Sequence, residues 1–446
     1  MSVNAANTQV LDKRTTIKAI IIIGAMFFVF GFVSWVNAIL IPYFKIACEL
    51  THFESYFVAF AFYIAYFLLS IPAAYFLKKL GYKKGIMYGF FCLSLGALLF
   101  VPAALTRTYG MFLSGLFTMG AGLTVLQSAA NPYITIIGPI ESAAKRISIM
   151  GICNKFAGII SPLIFAAVVL KVTDSELFAQ LELGTLDVAV KNELLDSLIR
   201  RVILPYSVLS GLLFLFGLYI RYSVLPDINP EEDNKEEAVS NDTGNERTSV
   251  LQYPYLVLGA IALLLHVGTQ VIAIDTIIGY AGSMGLDLLE AKVFPSYTLT
   301  ATIIGYILGI ILIPKYVSQT NALRFCCILG LILSFGIVFV DHDLTILGHR
   351  ANLSIWFLCS LGFPNSLVYA SIWPLSIHGL GKFTKIGSSL LVMGLCGNAI
   401  MPVIYGYFAD LYNVRDAYWI LIPCYIYLVF FAIHGHKINS WSFKNK

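Results

Sequence analysis

Apolar residues run along this chain in twelve long stretches, each interrupted by a short polar or basic turn. The pattern predicts spans at roughly 18–44, 55–77, 86–105, 109–138, 146–170, 202–224, 254–278, 293–314, 322–340, 353–378, 386–409 and 416–434. Each is long enough for a helix across a hydrocarbon layer of about 30 Å. Two connections are long. Residues 171–201 repeat apolar positions at helical spacing (Leu177, Leu181, Leu186, Val190, Leu194, Leu198), which predicts a surface helix. Residues 226–250 are acidic and polar (Glu231, Glu232, Asp233, Glu236, Glu237) and read as a flexible linker. The expected organisation is a six-helix half over 1–225, a linker over 226–252, a second six-helix half over 253–434 and a tail over 435–446.

Composition agrees with the pattern. The chain is 58% hydrophobic and 12% charged, more apolar surface than a water-soluble core absorbs. The fold class expected is therefore an all-α membrane protein of twelve transmembrane helices in two halves. The net charge of +4 is small and gives no sign of a nucleic-acid partner. Eight cysteines lie in or beside apolar stretches with no CxxC or Cys/His ligand spacing, so they read as small packing residues and no metal or cofactor is expected. The initial apolar run is too long for a signal-peptide core. Basic residues concentrate in alternate loops: Lys13, Arg14 and Lys18, then Lys78, Lys79, Lys83 and Lys84, then Lys145 and Arg146, with Arg221, Lys315, Arg324, Lys382, Lys385 and the tail. The positive-inside rule puts that side, and both termini, in the cytoplasm.

Polar residues inside the spans are the candidates for chemistry. Gln127 and Asn131 lie four apart and share a helix face. Lys155 follows Arg146 by nine residues, which puts it roughly 13 Å into the layer at 1.5 Å per residue. Such a lysine costs at least about 3 kcal/mol on insertion scales. Asp275 is the one carboxylate predicted inside a span with any depth, and a candidate proton or sodium site; its bland alternative is a water-exposed boundary residue. His266, in mid-span 7, titrates near neutrality when unperturbed; a buried histidine is more commonly a hydrogen-bonded core residue. Asn37, Asn154 and Asn398 offer further amides, and Trp35 and Trp373 could stack on a ligand's flat face or simply pack. Pro132, Pro162, Pro374 and Pro402 are candidate breaks or kinks. The two halves echo each other: Met150-Gly151-Ile152-Cys153 in span 5 against Met393-Gly394-Leu395-Cys396 in span 11, and Asn131-Pro132 against Trp373-Pro374.

Asn37-Ala38-Ile39-Leu40-Ile41-Pro42, Ala129-Ala130-Asn131-Pro132-Tyr133 with Gly138-Pro139, and Asn154 resemble the fucose–galactose–glucose symporter family of the major facilitator superfamily. The resemblance is motif-specific in the first half and one of layout in the second. It implies a sugar:cation symporter working by alternating access, with Asn154 near the sugar; the Gln127 and Asn131 amides could bind sugar hydroxyls or hold helices together. Glucose or galactose is the first choice, N-acetylglucosamine next and fucose third. The protein is expected to be a monomer in the inner membrane, coupled to H+ or Na+. Two departures bear on coupling. Proton-coupled relatives carry an aspartate after the span 1 asparagine and a glutamate before the span 4 motif; here those positions are Ala38 and Gln127, which take up no proton. The basic loop Lys78–Gly85 also lacks the acid of the superfamily's gating motif. Lys155 has three open readings: a structural charge reaching a wet cavity, a resident cation that binds sugar, or a proton carrier. A membrane enzyme has no nucleophile–base pair or metal motif to support it, and a sugar sensor has no signalling domain.

Overall fold

The computed structural model describes residues 13–136, 143–171, 173–183, 186–223, 225, 249–313, 315–380 and 383–441. Most of the expected linker, and Gly138-Pro139, lie outside the described residues. The rest is nearly all helix. Span 1 runs Lys13–Trp35 and Asn37–Ala47, span 2 Phe57–Leu80, span 3 Tyr82–Leu98 and Phe100–Thr106, span 4 Tyr109–Ile136, span 5 Ala143–Val169 and span 6 Ile203–Tyr222. Span 7 runs Pro254–Asp275 and Ile277–Ser283, span 8 Phe294–Leu312, span 9 Gln319–Phe339, span 10 Leu353–Ser360 and Gly362–Ile377, span 11 Thr384–Met393 and Gly397–Leu411 and span 12 Leu421–Ile433. Eleven described stretches are long and apolar enough to cross a membrane, and span 2 contributes a shorter apolar helix, Phe57–Ala73. Between spans 2 and 3 the chain turns on Gly81, whose φ of +79° suits a residue without a Cβ.

The packing shows an internal symmetry. Spans 1 and 5, 2 and 4, 3 and 6, and 3 and 4 pair in the first half; spans 7 and 11, 8 and 10, 9 and 12, and 9 and 10 pair in the second. Adding six to each number converts one set into the other. The halves meet through span 5 on span 8 and span 11 on span 2, which the same operation exchanges, and through span 1 on span 7. This is the arrangement of a parallel repeat about an axis along the membrane normal.

The helix breaks do not fall at the prolines. Pro132, Pro162, Pro374 and Pro402 all lie inside continuous helices. Span 1 breaks at Val36, whose carbonyl accepts from both Ile39 and Leu40 amides at 3.1 Å and so tightens the turn. Span 7 breaks at Thr276, whose Oγ1 donates to the Ile272 carbonyl at 2.7 Å while the Thr276 amide reaches the same oxygen at 3.2 Å. Such back-bonding opens a helix. Spans 1 and 7 correspond under the symmetry, so the breaks are a matched pair.

The long 171–201 connection folds as two helices, Asp174–Leu183 and Val188–Arg200, where one was expected. Leu195, Leu198 and Ile199 bury the apolar face of the second. Arg201 donates to Asp174 at 2.6 Å, and the Tyr43 hydroxyl donates to the Leu198 carbonyl, which fixes the pair to span 1. On this same end, away from the termini, the halves are latched. Asp410, near the end of span 11, accepts from the backbone amides of His52 at 2.9 Å and Phe53 at 2.7 Å. Tyr56 packs edge-on against Tyr405, and Phe53 against Tyr407. Gly406 makes this approach possible: a Cβ there would sit 2.5 Å from the Tyr56 ring and 3.0 Å from the His52 carbonyl.

Candidate sugar and cation site between the halves

Three polar groups meet where spans 1, 2, 4 and 5 face spans 7 and 10. The first centres on Trp35, the last residue before the span 1 break. Its indole Nε1 donates to Asn154 Oδ1 at 3.1 Å, and Asn154 Nδ2 donates to the Phe27 carbonyl at 3.3 Å. The Asn154 amide is thereby oriented by two bonds. The next residue, Lys155, places its ammonium 3.9 Å from the centre of the Trp35 ring and donates to Gln270 Oε1 on span 7 at 3.4 Å. Lys155 is 6% exposed. A desolvated cation–π contact stabilises by about 2 kcal/mol, against an insertion cost of about 3 kcal/mol. Trp35 therefore offsets much of what placing the lysine here costs. Two glycines set the geometry. A Cβ on Gly31 would lie 2.0 Å from the Asn154 carbonyl oxygen, and one on Gly158 would lie 2.5 Å from the Trp35 ring.

The second group begins at Gln127, whose Nε2 donates to the Tyr66 hydroxyl at 2.8 Å. The Tyr66 ring stacks near Tyr63 with centroids 6.3 Å apart. Tyr66 lies within electrostatic reach of Tyr369 of span 10, which stacks with Trp373 at 6.0 Å. These two aromatic pairs, one on each half, form the aromatic wall of the seam. Trp373 joins the site through this wall and has no contact with Lys155 among the described residues.

The third group lies on span 7. His266 is fully buried, and neither ring nitrogen has a hydrogen-bond partner among the described residues. The expectation of a hydrogen-bonded core histidine is not met; His266 instead faces Lys155 electrostatically. Asp275 is 1% exposed, which rules out the water-exposed boundary residue of the bland reading. Neither of its oxygens has a hydrogen-bond partner among the described residues, and it acts electrostatically on Lys155, Tyr63 and Tyr56. Asn37, directly after the span 1 break, is fully buried; its amide atoms make no standard hydrogen bond among the described residues, with the Tyr63 hydroxyl its polar neighbour.

Of the sequence candidates, Trp35, Asn154, Lys155, His266 and Asp275 come together, with Gln127 and Trp373 along the aromatic wall. Asn398 lies half-buried on span 11 with its Oδ1 unpartnered and no contact to this group among the described residues. Asn131 is on span 4, and its side chain lies outside the described residues. Gln270, Tyr63 and Tyr66 were not singled out by the sequence. Gln270 had a legible signal, since it lies four residues after His266 and shares its helix face. Chemically, the ensemble offers amide donors and acceptors, an ammonium and flat ring faces. These suit a small, neutral, polyhydroxylated ring.

Two pseudo-symmetric helical halves with a polar, buried seam define a secondary transporter of the membrane. The sequence pattern of the Major Facilitator Superfamily matches residues 23–388. The chain is 31% identical over 438 residues to a glucose/galactose transporter of Brucella abortus biovar 1 (strain 9-941), covering 97% of this chain and 98% of that one. It is 29% identical to the L-fucose-proton symporter of Escherichia coli (strain K12), over 97% of this chain and 96% of that one. The crystal structure of FucP, a Major Facilitator Superfamily transporter in the outward conformation, superposes with a TM-score of 0.67 at 28% identity, covering 94% of this chain and 99% of that one. The chain belongs to the Major Facilitator Superfamily.

Proposed function

We propose that this protein is a sugar:cation symporter that imports a neutral hexose, D-glucose or D-galactose before N-acetylglucosamine or L-fucose. The observation that supports it most is the Trp35–Asn154–Lys155–Gln270 group, which joins the two halves with one aromatic face, two amides and one ammonium. A hexose bound there would contact both halves at once, as rocking of the halves about a midplane site requires. Gln127, held by Tyr66, is the next sugar ligand along the wall. The full-length similarity to a glucose/galactose transporter favours those two sugars. Fucose ranks lower because Ala38 and Gln127 stand where the resemblance implies coupling acids.

The basic loops favour an inner-membrane protein with both termini in the cytoplasm. In that orientation the latch of Asp410 on His52 and Phe53 closes the outer end. Counterflow in proteoliposomes preloaded with unlabelled sugar tests the substrate, since exchange needs no gradient. D-glucose and D-galactose should drive uptake of labelled D-galactose, and L-fucose should do so poorly. Exchange that follows L-fucose and ignores both hexoses would overturn the choice of sugar.

A further inference from the structure

The matched helix breaks place two buried polar side chains against the same seam. Asn37 immediately follows the break of span 1, and Asp275 immediately precedes the break of span 7. Asn37–Ala47 packs against both Pro254–Asp275 and Ile277–Ser283, so the breaks of the two halves adjoin. The Tyr63 hydroxyl lies beside Asn37 and within electrostatic reach of Asp275, and its bond to the Ser34 carbonyl is long at 3.5 Å. Burying an unpaired polar group costs about 1–3 kcal/mol, more if it is charged. Two buried side chains with no hydrogen-bond partner among the described residues, beside a weakly held hydroxyl and drawn from two halves that must move relative to each other, are not explained by helix adhesion.

We propose that Asp275, Asn37 and Tyr63 form a sodium-ion site at the seam between the halves, and that Lys155 is a tethered cation in competition with that ion. The donors are hard oxygens: a carboxylate, a side-chain amide carbonyl and a hydroxyl. Such ligands suit a hard cation, whereas a bare proton site needs only the carboxylate. The charges balance without an added ion, because Lys155 faces Asp275 from span 5. Yet the ammonium is not bonded to it. Lys155 rests on the Trp35 face and on Gln270 Oε1, both neutral, and the Asp275 oxygens have no hydrogen-bond partner among the described residues. The ammonium therefore has two stations, one toward Asp275 and one over Trp35 beside the Asn154 amide. A sodium ion on Asp275 repels it to the second, where its three N–H donors are available to sugar hydroxyls. Sodium and sugar then bind cooperatively, and the ion is held by residues of both halves. The coupling carboxylate thus sits at the span 7 break, the symmetry counterpart of the span 1 segment in which position 38 is alanine.

The cooperativity rests on the sugar-transport reading; the ion site does not. Thermal unfolding of the purified, sugar-free protein in NaCl against choline chloride and KCl at equal ionic strength tests the site alone. The wild type should unfold at higher temperature in NaCl. Asp275→Asn should lose that response, Asn37→Ala should weaken it, and Lys155→Met should show it at lower sodium concentration because the competing ammonium is gone. Calorimetry should then show D-glucose binding about 5- to 150-fold more tightly in NaCl than in choline chloride, the usual range of a coupling between sites. Identical unfolding of the folded wild type in all three salts, or an undiminished sodium response in Asp275→Asn, overturns the site. A sodium response with no binding of any hexose would instead leave the ion site standing and remove the sugar reading.

Discussion

Replacing Asp410 by alanine should open the end of the molecule away from the termini. The Asp410 carboxylate takes two backbone amides, His52 at 2.9 Å and Phe53 at 2.7 Å, across the boundary between spans 11 and 2. Hydrogen bonds to a charged group each stabilise by about 1.5–3 kcal/mol. Asp410 is exposed, and water replaces part of what it offers, so about half of the summed value is the reasonable figure for the pair. That leaves about 1.5–3 kcal/mol favouring the closed arrangement, or roughly a tenfold to 150-fold change in the closed-to-open ratio. The change can be read as a distance distribution by electron–electron double resonance, with spin labels on Glu54 and Leu411 in a cysteine-depleted background. Both are exposed and flank the latch on opposite halves. The expected result is a second, longer population in Asp410→Ala that is minor in the parent. Gly406→Leu should produce it independently, because its side chain must displace Tyr56 or the His52 carbonyl. A folded Asp410→Ala protein with an unchanged distribution, matched by an unchanged Gly406→Leu, would refute the latch.

The latch should also respond to pH through His52. Burial and the neighbouring Lys45 ammonium push the His52 imidazole down to about 4 against a weaker upward pull from Asp410, and the neutral ring takes the Lys45 ammonium at 2.6 Å. A histidine with a depressed value in the closed state stabilises that state fully above its ordinary value of 6.5. The contribution is lost as pH falls from about 6.5 toward 4. The long-distance population should grow over that window in the parent and not in His52→Gln. Gln127→Ala should stay folded and lose about 1–3 kcal/mol of D-galactose affinity by calorimetry, the cost of an unpaired polar partner. Gly158→Leu should push the Trp35 ring off Asn154 and lower stability by about 1–3 kcal/mol in a denaturant titration, with sugar affinity falling alongside; an unperturbed indole fluorescence would show that Trp35 had not moved.

The spans were legible because a membrane helix must bury its backbone bonds and present apolar side chains along its whole length. The division into six and six was read from the acidic, polar stretch at 226–250 between spans 6 and 7. The breaks were not legible. Prolines were the obvious candidates, yet Pro162, Pro374 and Pro402 are absorbed into continuous helices, while span 7 opens at Thr276 through a side-chain bond that composition does not reveal. Lys155 and Asp275 stood out as charges, but counting residues from the cytoplasmic ends put Asp275 nearly a full span up and Lys155 only midway. The structure brings them into electrostatic reach across the seam. Tyr63 and Tyr66 were hidden for a different reason. In a chain with 25 tyrosines and 32 phenylalanines, one more aromatic carries no signal until its hydroxyl is seen against Gln127 or Asp275.

The most direct test of sugar:cation symport is the steady-state accumulation ratio of labelled D-galactose in proteoliposomes, with an inward sodium gradient and an inward proton gradient imposed separately. The internal concentration should exceed the external one under the sodium gradient and collapse to equality when the gradient is dissipated. It should stay at equality under either gradient in Asp275→Asn while counterflow persists. A wild-type ratio that remains at one under both gradients, in vesicles that exchange sugar normally, would contradict coupled transport and leave a facilitator in its place.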